Sequence, residues 1–185
     1  ADYVSSFVKS EDKRTKLQLR NGDFVDFIPT NKIVIEVDSA AVIDNKIIHP
    51  KDADKIVDEV RINLKANSQI LKGSMAQLDI FAHNDWKRPI YFTSGGFDGS
   101  LGIENYYQLE GLAYKVVPID TPEESVLVMG RIDTDKMYDN VMNKFTWGRM
   151  NEPDVTLDYY TIRTLSVIRF RSLHTRLSLA LLEEG

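Results

Sequence analysis

The hydrophobic period of the chain changes repeatedly between Val60 and Ile119, and this feature constrains the fold most. Residues 60–65 alternate as in a strand, whereas the apolar residues from Leu71 to Ala82 recur on one helical face. A short apolar run (88–93), a two-turn helical pattern closed by a glycine (103–111) and a second apolar run (112–119) follow. This order of strand, helix, strand, helix and strand predicts an α/β layer with a parallel βαβαβ portion.

A hairpin is predicted ahead of this layer, in the segment TKLQLRNGDFVDFIPT (15–30). Asn21 and Gly22 separate two alternating runs, and the pair is typical of a type I′ turn because both turn residues need a positive φ. A short helix over 2–9 precedes the hairpin and a third strand over 32–38 follows it.

These segments predict an α/β fold: a mixed sheet with a parallel βαβαβ portion and an N-terminal antiparallel hairpin, followed by a C-terminal helical segment. We divide the chain into an α/β domain over 1–130 and a helical segment over 131–185. The sequence opens without an initiator methionine and stops inside a helical pattern. We therefore expect a fragment, processed or engineered, of a longer protein.

Composition excludes several classes of site. A formal net charge of −5, with no basic stripe, argues against non-specific nucleic-acid binding. The absence of cysteine excludes disulfides, thiolate metal sites and a cysteine nucleophile. No apolar run approaches the ~20 residues of a membrane span, so this part of the protein is not expected to insert into a membrane. The three histidines lack metal-ligand spacing and no G-x-S-x-G elbow occurs. We predict no catalytic residue, metal or cofactor here.

The stretch HNDWKR (83–88) places six polar or aromatic residues between the long helical pattern and the next strand. One interpretation is a binding site, in which Trp86 stacks on a sugar or peptide while Asn84, Asp85 and Arg88 form hydrogen bonds. The other is a structural corner. Asn84 then takes the left-handed conformation of a helix end, Trp86 covers the corner, and Arg88 reaches helix-terminal carbonyls or a carboxylate. We favour the corner and keep these four side chains as candidate contacts.

Two further motifs have a functional and a structural interpretation. The glycine-rich segment SGGFDGSLG (94–102) lies between a strand and a helical pattern, as phosphate-binding loops do, but it matches neither G-x-G-x-x-G nor G-x-x-x-x-G-K-[ST]. Gly96 and Asp98 are the candidate contacts in this loop. Asp133 and Asp135 resemble paired carboxylates that hold Mg²⁺ or Mn²⁺. Because they open a helix, where Asp is a preferred cap, we favour capping.

Five segments in order along the chain resemble the soluble C-terminal region of a bacterial family of large multi-pass membrane proteins. That family is related to an endoplasmic-reticulum O-mannosyltransferase of animals that modifies plexin-type receptor domains. The segments are RTK…DFIPTNKIVIEVD, LKGSMAQLDIFAHNDWKRPIYF, LGIENYYQLEGLAYKVVPI, MYDNVMNKFTWG and LHTRLSLALLEEG. The resemblance covers nearly the whole chain and is most specific over 71–92 and 101–118.

The resemblance implies a parent glycosyltransferase of the C type with a lipid-linked donor, whose catalytic carboxylates lie in the membrane half and map onto no residue here. It implies that this chain is a non-catalytic accessory domain on the extracytoplasmic, periplasmic face of the inner membrane. There it docks on the membrane-embedded part of the same chain or presents an acceptor protein. It also implies tetratricopeptide-like helices that start within 131–185.

Two alternatives stay open. One is an autonomous α/β enzyme, or a nucleotide- or sugar-binding domain, that uses the glycine-rich loop. The other is an architectural spacer for helical repeats.

Overall fold

Strands form three sheets in the computed structural model, which describes residues 2–64, 70–93, 102–122, 129–146, 148–150 and 152–185. The strands are β1 (Thr15–Gln18), β2 (Phe24–Phe27), β3 (Lys32–Glu36), β4 (Glu59–Asn63), β5 (Tyr91–Thr93), β6 (Tyr107–Leu109), β7 (Ala113–Val116) and β8 (Arg131–Ile132). β1 pairs with β2, β3 pairs with β4, and a four-stranded sheet has the order β5-β7-β6-β8. The mixed α/β architecture is the predicted one.

Helices pack around these sheets and dominate the C-terminal part. They are α1 (Asp2–Lys9), α2 (Ser39–Asp44), α3 (Lys72–His83), α4 (Thr134–Asp139), α5 (Tyr159–Thr161) and α6 (Arg171–Glu184). π-helical turns over Asn140–Lys144 and Ile162–Phe170 extend α4 and join α5 to α6, and 3-10 turns cover Glu11–Lys13, Pro50–Lys55 and Glu104–Tyr106. The helical character predicted after residue 130 is therefore confirmed. None of the helices within the described residues combines the length and apolarity that crossing a bilayer requires.

The predicted N-terminal hairpin is present, but its turn differs from the prediction. β1 and β2 are antiparallel, with Thr15 opposite Phe27. The Gly22 N–H donates to the Leu19 carbonyl, and the Leu19 N–H donates to the Asp23 carbonyl. Gly22 has a φ of 93°, whereas Asn21 does not have a positive φ. The loop is thus a three-residue connection with a left-handed glycine at its end rather than a type I′ turn.

The parallel pairing lies elsewhere than predicted. β3–β4, β5–β7 and β6–β7 are antiparallel, and β6–β8 is the parallel pair. The predicted helix over 103–111 is a 3-10 turn followed by β6, whose three residues are all buried. Gly111, with a φ of 122°, lies in the tight β6–β7 turn, where the Glu110 N–H donates to the Ala113 carbonyl. β6 is only three residues long, so its alternation of apolar and polar residues is too short to identify a strand, and the segment resembled a helix closed by Gly111.

Within the described residues, three apolar clusters make the core. The largest lies between β3–β4, α3 and the aromatic face of the four-stranded sheet, and includes Ile62, Leu78 and Tyr107. A second surrounds Val42 and Val117. The third contains Leu109, Met137, Val141, Leu173 and Leu177, so strand β6 shares apolar contacts with the C-terminal helices. The division at residue 130 stays a prediction.

Candidate functional site

The corner after α3 has a strained backbone. Asn84 continues the right-handed conformation of the helix, with a φ of −71°, contrary to the prediction that it is left-handed. The left-handed residues are Asp85 and Trp86, with φ values of 46° and 54°. A positive φ is costly for a bulky side chain and persists only where surrounding contacts impose it. Here the Asn84 carbonyl accepts from the Lys87 N–H at 2.9 Å, and the Asn84 amide donates to the Arg88 carbonyl at 2.8 Å.

Trp86 fixes the corner by packing. Its half-buried indole contacts both the largest apolar cluster and the second one. Beneath it lies a cavity of about 20 Å³, lined mainly by apolar side chains that include Ile35, Val60 and Ile90. This space holds about one water molecule, so no sugar ring enters it. Trp86 therefore acts as a cover, as the structural interpretation predicts.

The charged residues of the corner face solvent. Lys87 Nζ lies 2.8 Å from an Asp85 carboxylate oxygen, and this hydrogen bond lowers the pKa of Asp85 below its ordinary value. The guanidinium of Arg88 makes no hydrogen bond or ion pair with another described residue; the carbonyl or carboxylate partner predicted for it is absent there. Asn84, Asp85, Trp86 and Arg88 are thus gathered on one corner, while Gly96 and Asp98 lie outside the described residues.

A groove of about 320 Å³ begins beside this corner, between α3 and β5. Its walls are Gln77, Ile80 and Phe81 from the helix and residues 90–93 from the strand. Ile80 is 58% exposed and Tyr91 46% exposed, so the groove presents apolar surface to solvent. β5 is an edge strand among the described strands, and the alternation of an antiparallel ladder points the main chain of Tyr91 away from β7.

Sequence reasoning missed a row of polar side chains, which we call the polar row. It crosses the four-stranded sheet on the face opposite the aromatic one. The register places Tyr91 opposite Lys115, Lys115 opposite Gln108, and Gln108 opposite Arg131. Gln108 and Lys115 are 0% and 6% exposed. One side chain from each of the four strands therefore contributes to a single line of polar groups, most of it buried.

Two buried carboxylates complete the row. Asp52, from the 3-10 turn over Pro50–Lys55, accepts from Arg131 Nη2 at 2.8 Å and from Lys55 Nζ at 2.6 Å. Burial alone raises the pKa of Asp52, but the hydrogen bonds from Lys55 and Arg131 outweigh it and hold the pKa below its usual value. At the other end Glu110 accepts from the Tyr91 hydroxyl at 2.8 Å.

Hydrogen bonds along the polar row connect its Asp52 end to its Glu110 end, and every charged side chain of the row has a partner. Arg131 Nη1 donates to Gln108 Oε1 at 2.9 Å, and Gln108 Nε2 donates to Glu110 Oε1 at 2.9 Å. Lys115 Nζ lies 3.4 Å from Glu110 Oε1. Burial, followed by the hydrogen bond to Glu110, raises the pKa of Tyr91 well above its ordinary value.

The polar row holds the sheet together and offers little chemistry. Asp52 and Glu110 are separated by Arg131 and Gln108, so they do not form a carboxylate pair that shares a proton. Within the described residues, no group of three or more His, Cys, Asp or Glu is placed to hold a metal ion. The signal that predicts this row is a polar residue at every second position of an apolar strand, as Gln108 and Glu110 are.

Asp133 and Asp135 act structurally. Asp133 accepts from the Lys136 N–H at 3.0 Å and caps α4, as predicted. Asp135 pairs with Lys51 Nζ at 2.6 Å. The hydrogen bond from Lys51 lowers the pKa of Asp135.

A family model described as TMEM260-associated domain 2 matches residues 1–136. Comparisons with curated proteins and with solved structures found no match.

Proposed function

The chain belongs to the TMEM260-associated domain 2 family, and from this premise we propose that it is a non-catalytic accessory domain of a membrane glycosyltransferase. The family is linked to a membrane protein, so the chain is a domain associated with a membrane-protein family. Placement on the extracytoplasmic, periplasmic face, next to a membrane-embedded catalytic part, belongs to the proposal. The proposal also includes the division at residue 130 and the start of tetratricopeptide-like helices within 131–185.

The observation that carries the proposal is the surface formed by the corner and the groove. Arg88 presents a cation that has no partner among the described residues, beside a groove with apolar walls and a strand edge. An extended segment of an acceptor protein fits such a surface, because its main chain pairs with an edge strand and its apolar side chains enter the groove. The charged side chains of the polar row form ion pairs with one another. This supports a role of the domain in recognition rather than in catalysis.

The experiment uses the full-length membrane protein and measures sugar transfer to a folded acceptor protein. Arg88→Ala and Ile80→Ser each remove one exposed contact, so we expect a several-fold rise in KM for the acceptor at an unchanged melting temperature. Arg149→Ala is the matched control, because Arg149 is an exposed arginine of the C-terminal part. If the unaltered protein and the three variants had the same acceptor kinetics, the corner and the groove would be removed from the proposal.

The two alternatives predict different results. An architectural spacer predicts full activity after the domain is replaced by an unrelated rigid domain. An autonomous nucleotide- or sugar-binding domain predicts binding of nucleotides or nucleotide sugars to the 185-residue chain below ~100 μM, about −5.5 kcal/mol, in calorimetry. Its loop over 94–101 lies outside the described residues.

A further inference from the structure

The free edge of β5 presents two residues whose main chain is unpaired within the described part of the chain. The Val116 N–H donates to the Ile90 carbonyl at 2.9 Å, so the main chain of Ile90 and, by alternation, that of Phe92 face β7. The N–H and C=O groups of Tyr91 and Thr93 point the other way and have no hydrogen-bond partner among the described residues. Each of these two residues therefore offers a donor and an acceptor to an added strand.

The side chains of β5 alternate between two different surroundings. Phe92 stacks on Phe81 of α3, with the ring centroids 5.9 Å apart, so it points to the side of the sheet on which the groove lies. Tyr91 points to the opposite face, where its hydroxyl donates to Glu110. A strand added beside β5 repeats this alternation. Its residue opposite Phe92 therefore points into the groove, and the residues before and after it point to the face of the polar row.

The groove favours an apolar side chain at the central position of such a strand. Its helical wall consists of Gln77, Ile80 and Phe81, and the Ile80 side chain is 58% exposed, so an apolar residue there covers apolar surface. On the other face, Lys115 Nζ lies 3.4 Å from a Glu110 carboxylate oxygen, so these two charges already have partners. The residues on either side of the apolar one therefore need no charge.

Arg88 lies at the end of the groove where β5 begins. It lines the small cavity of the corner together with Phe81 and Ile90, and these two residues also line the groove. The exposed guanidinium of Arg88 has no hydrogen-bond or ion-pair partner among the described residues, whereas the neighbouring Lys87 is paired with Asp85. The charge of Arg88 is therefore complementary to a carboxylate at this end of a bound segment.

We propose that the β5 edge and the groove bind an extended segment of the acceptor protein in which an apolar residue is followed, about four positions later, by Asp or Glu. The segment runs antiparallel to β5, because antiparallel pairing is the more stable per residue and this edge is short. Its apolar residue lies opposite Phe92, and its carboxylate reaches Arg88. The inference rests on the proposed function, to whose acceptor site it assigns a class of sequence.

The test is an NMR titration of the isotope-labelled 185-residue chain with three synthetic peptides. The first has a host of serine and threonine with one phenylalanine and, four positions later, one aspartate. The second has the same residues in reverse order, and the third has lysine in place of the aspartate. We expect the first peptide to bind most tightly. The amide protons of Tyr91 and Thr93 should shift downfield as they gain hydrogen bonds, and that of Phe92, which faces β7, should shift less.

Matched variants separate this surface from general peptide binding. Arg88→Glu should weaken binding of the aspartate peptide by about fivefold and strengthen binding of the lysine peptide, because the charge is then reversed on both partners. Lys87→Glu is its control, since Lys87 is an exposed cation one position away that is paired with Asp85. Ile80→Ser should abolish binding of the aspartate peptide, whereas Leu182→Ser, which alters a 77% exposed side chain of α6, should leave it unchanged.

Three results overturn the inference: unshifted amide protons of Tyr91 and Thr93, equal affinity for the first and the reversed peptide, or equal losses in Arg88→Glu and Lys87→Glu. The peptide assay also separates this inference from the proposed function. If the peptides fail while Arg88→Ala and Ile80→Ser raise the KM for the acceptor in the full-length protein, the inference falls and the accessory function stands. If the peptides bind while acceptor kinetics are unchanged, recognition of this sequence class stands and the accessory function falls.

Discussion

Arg131 and Asp52, 79 residues apart in the chain, form a buried ion pair with 2.8 Å between Nη2 and Oδ2. Arg131 starts β8 at one edge of the four-stranded sheet, and Asp52 lies in the 3-10 turn over Pro50–Lys55. Because the same guanidinium also donates to Gln108, it ties that turn to the polar row across the sheet. Stability, rather than chemistry, is the property that this contact controls.

Arg131→Met should therefore destabilise the fold strongly. It keeps most of the side-chain length but leaves the Asp52 carboxylate, 1% exposed, with only the half-exposed Lys55 as an ion-pair partner among the described residues, and it removes the donor to Gln108 Oε1. We expect a loss of about 3–5 kcal/mol in the free energy of unfolding, measured with urea.

The control for this change is Arg149→Met. Its ion pairs with Glu152 and Asp154 are exposed, so the loss should stay below about 1 kcal/mol. Similar losses of unfolding free energy in Arg131→Met and Arg149→Met would contradict a larger stabilising contribution from the buried ion pair.

Asp52 should also make the free energy of unfolding depend on pH. Its pKa is lower in the folded protein than the ordinary 3.8 of the unfolded chain, despite burial, because Lys55 and Arg131 donate hydrogen bonds to it. Its contribution is therefore complete above the unfolded pKa and is lost as pH falls through the folded pKa. Asp52→Asn should flatten the decline of unfolding free energy between about pH 5 and about pH 2. A decline as steep as that of the unaltered protein contradicts this.

Lys46→Gly should stabilise the end of α2. Lys46 has a φ of 55° and occupies the position after the helix cap where glycine is usual. The Lys46 N–H donates to the Ile43 carbonyl and the Ile47 N–H to the Val42 carbonyl, the bonds of a Schellman motif.

Relief of left-handed strain is worth about 1–2 kcal/mol and the added chain entropy of glycine costs about 0.5–1 kcal/mol, so we expect a net gain of up to about 1 kcal/mol. Lys46→Ala removes the same side chain without relieving the strain, and should give no gain in thermal or urea unfolding.

Gly130→Ala should be far more damaging than Gly148→Ala. Both glycines have a positive φ, 69° and 59°. An added Cβ at Gly130 would clash with the Tyr107 carbonyl oxygen, whereas no atom of the described residues lies within 4 Å of one added at Gly148. Strain alone costs about 1–2 kcal/mol at either site. The clash should add to it at Gly130, and equal melting temperatures of the two variants would contradict that.

How much of the site follows from sequence differs between its parts. The corner after α3 was predictable, because a helical stripe followed by HNDWKR and Pro89 requires a break there. Which residues turn left-handed was not: Asp85 and Trp86 are held by the Asn84 bonds and by packing of Trp86 between two clusters. The groove depends on which strand becomes the sheet edge, and no local pattern specifies that.

The sequence alone determined the periodic elements: α1, the β1–β2 hairpin, α3 and the helices after residue 130, because amphipathic spacing is a local property. Strand direction, the β6 strand in place of a predicted helix, and the row from Tyr91 to Arg131 depend instead on how distant segments pack together. Buried charges acquire partners from distant parts of the chain, and that pairing appears only when the strands are placed side by side.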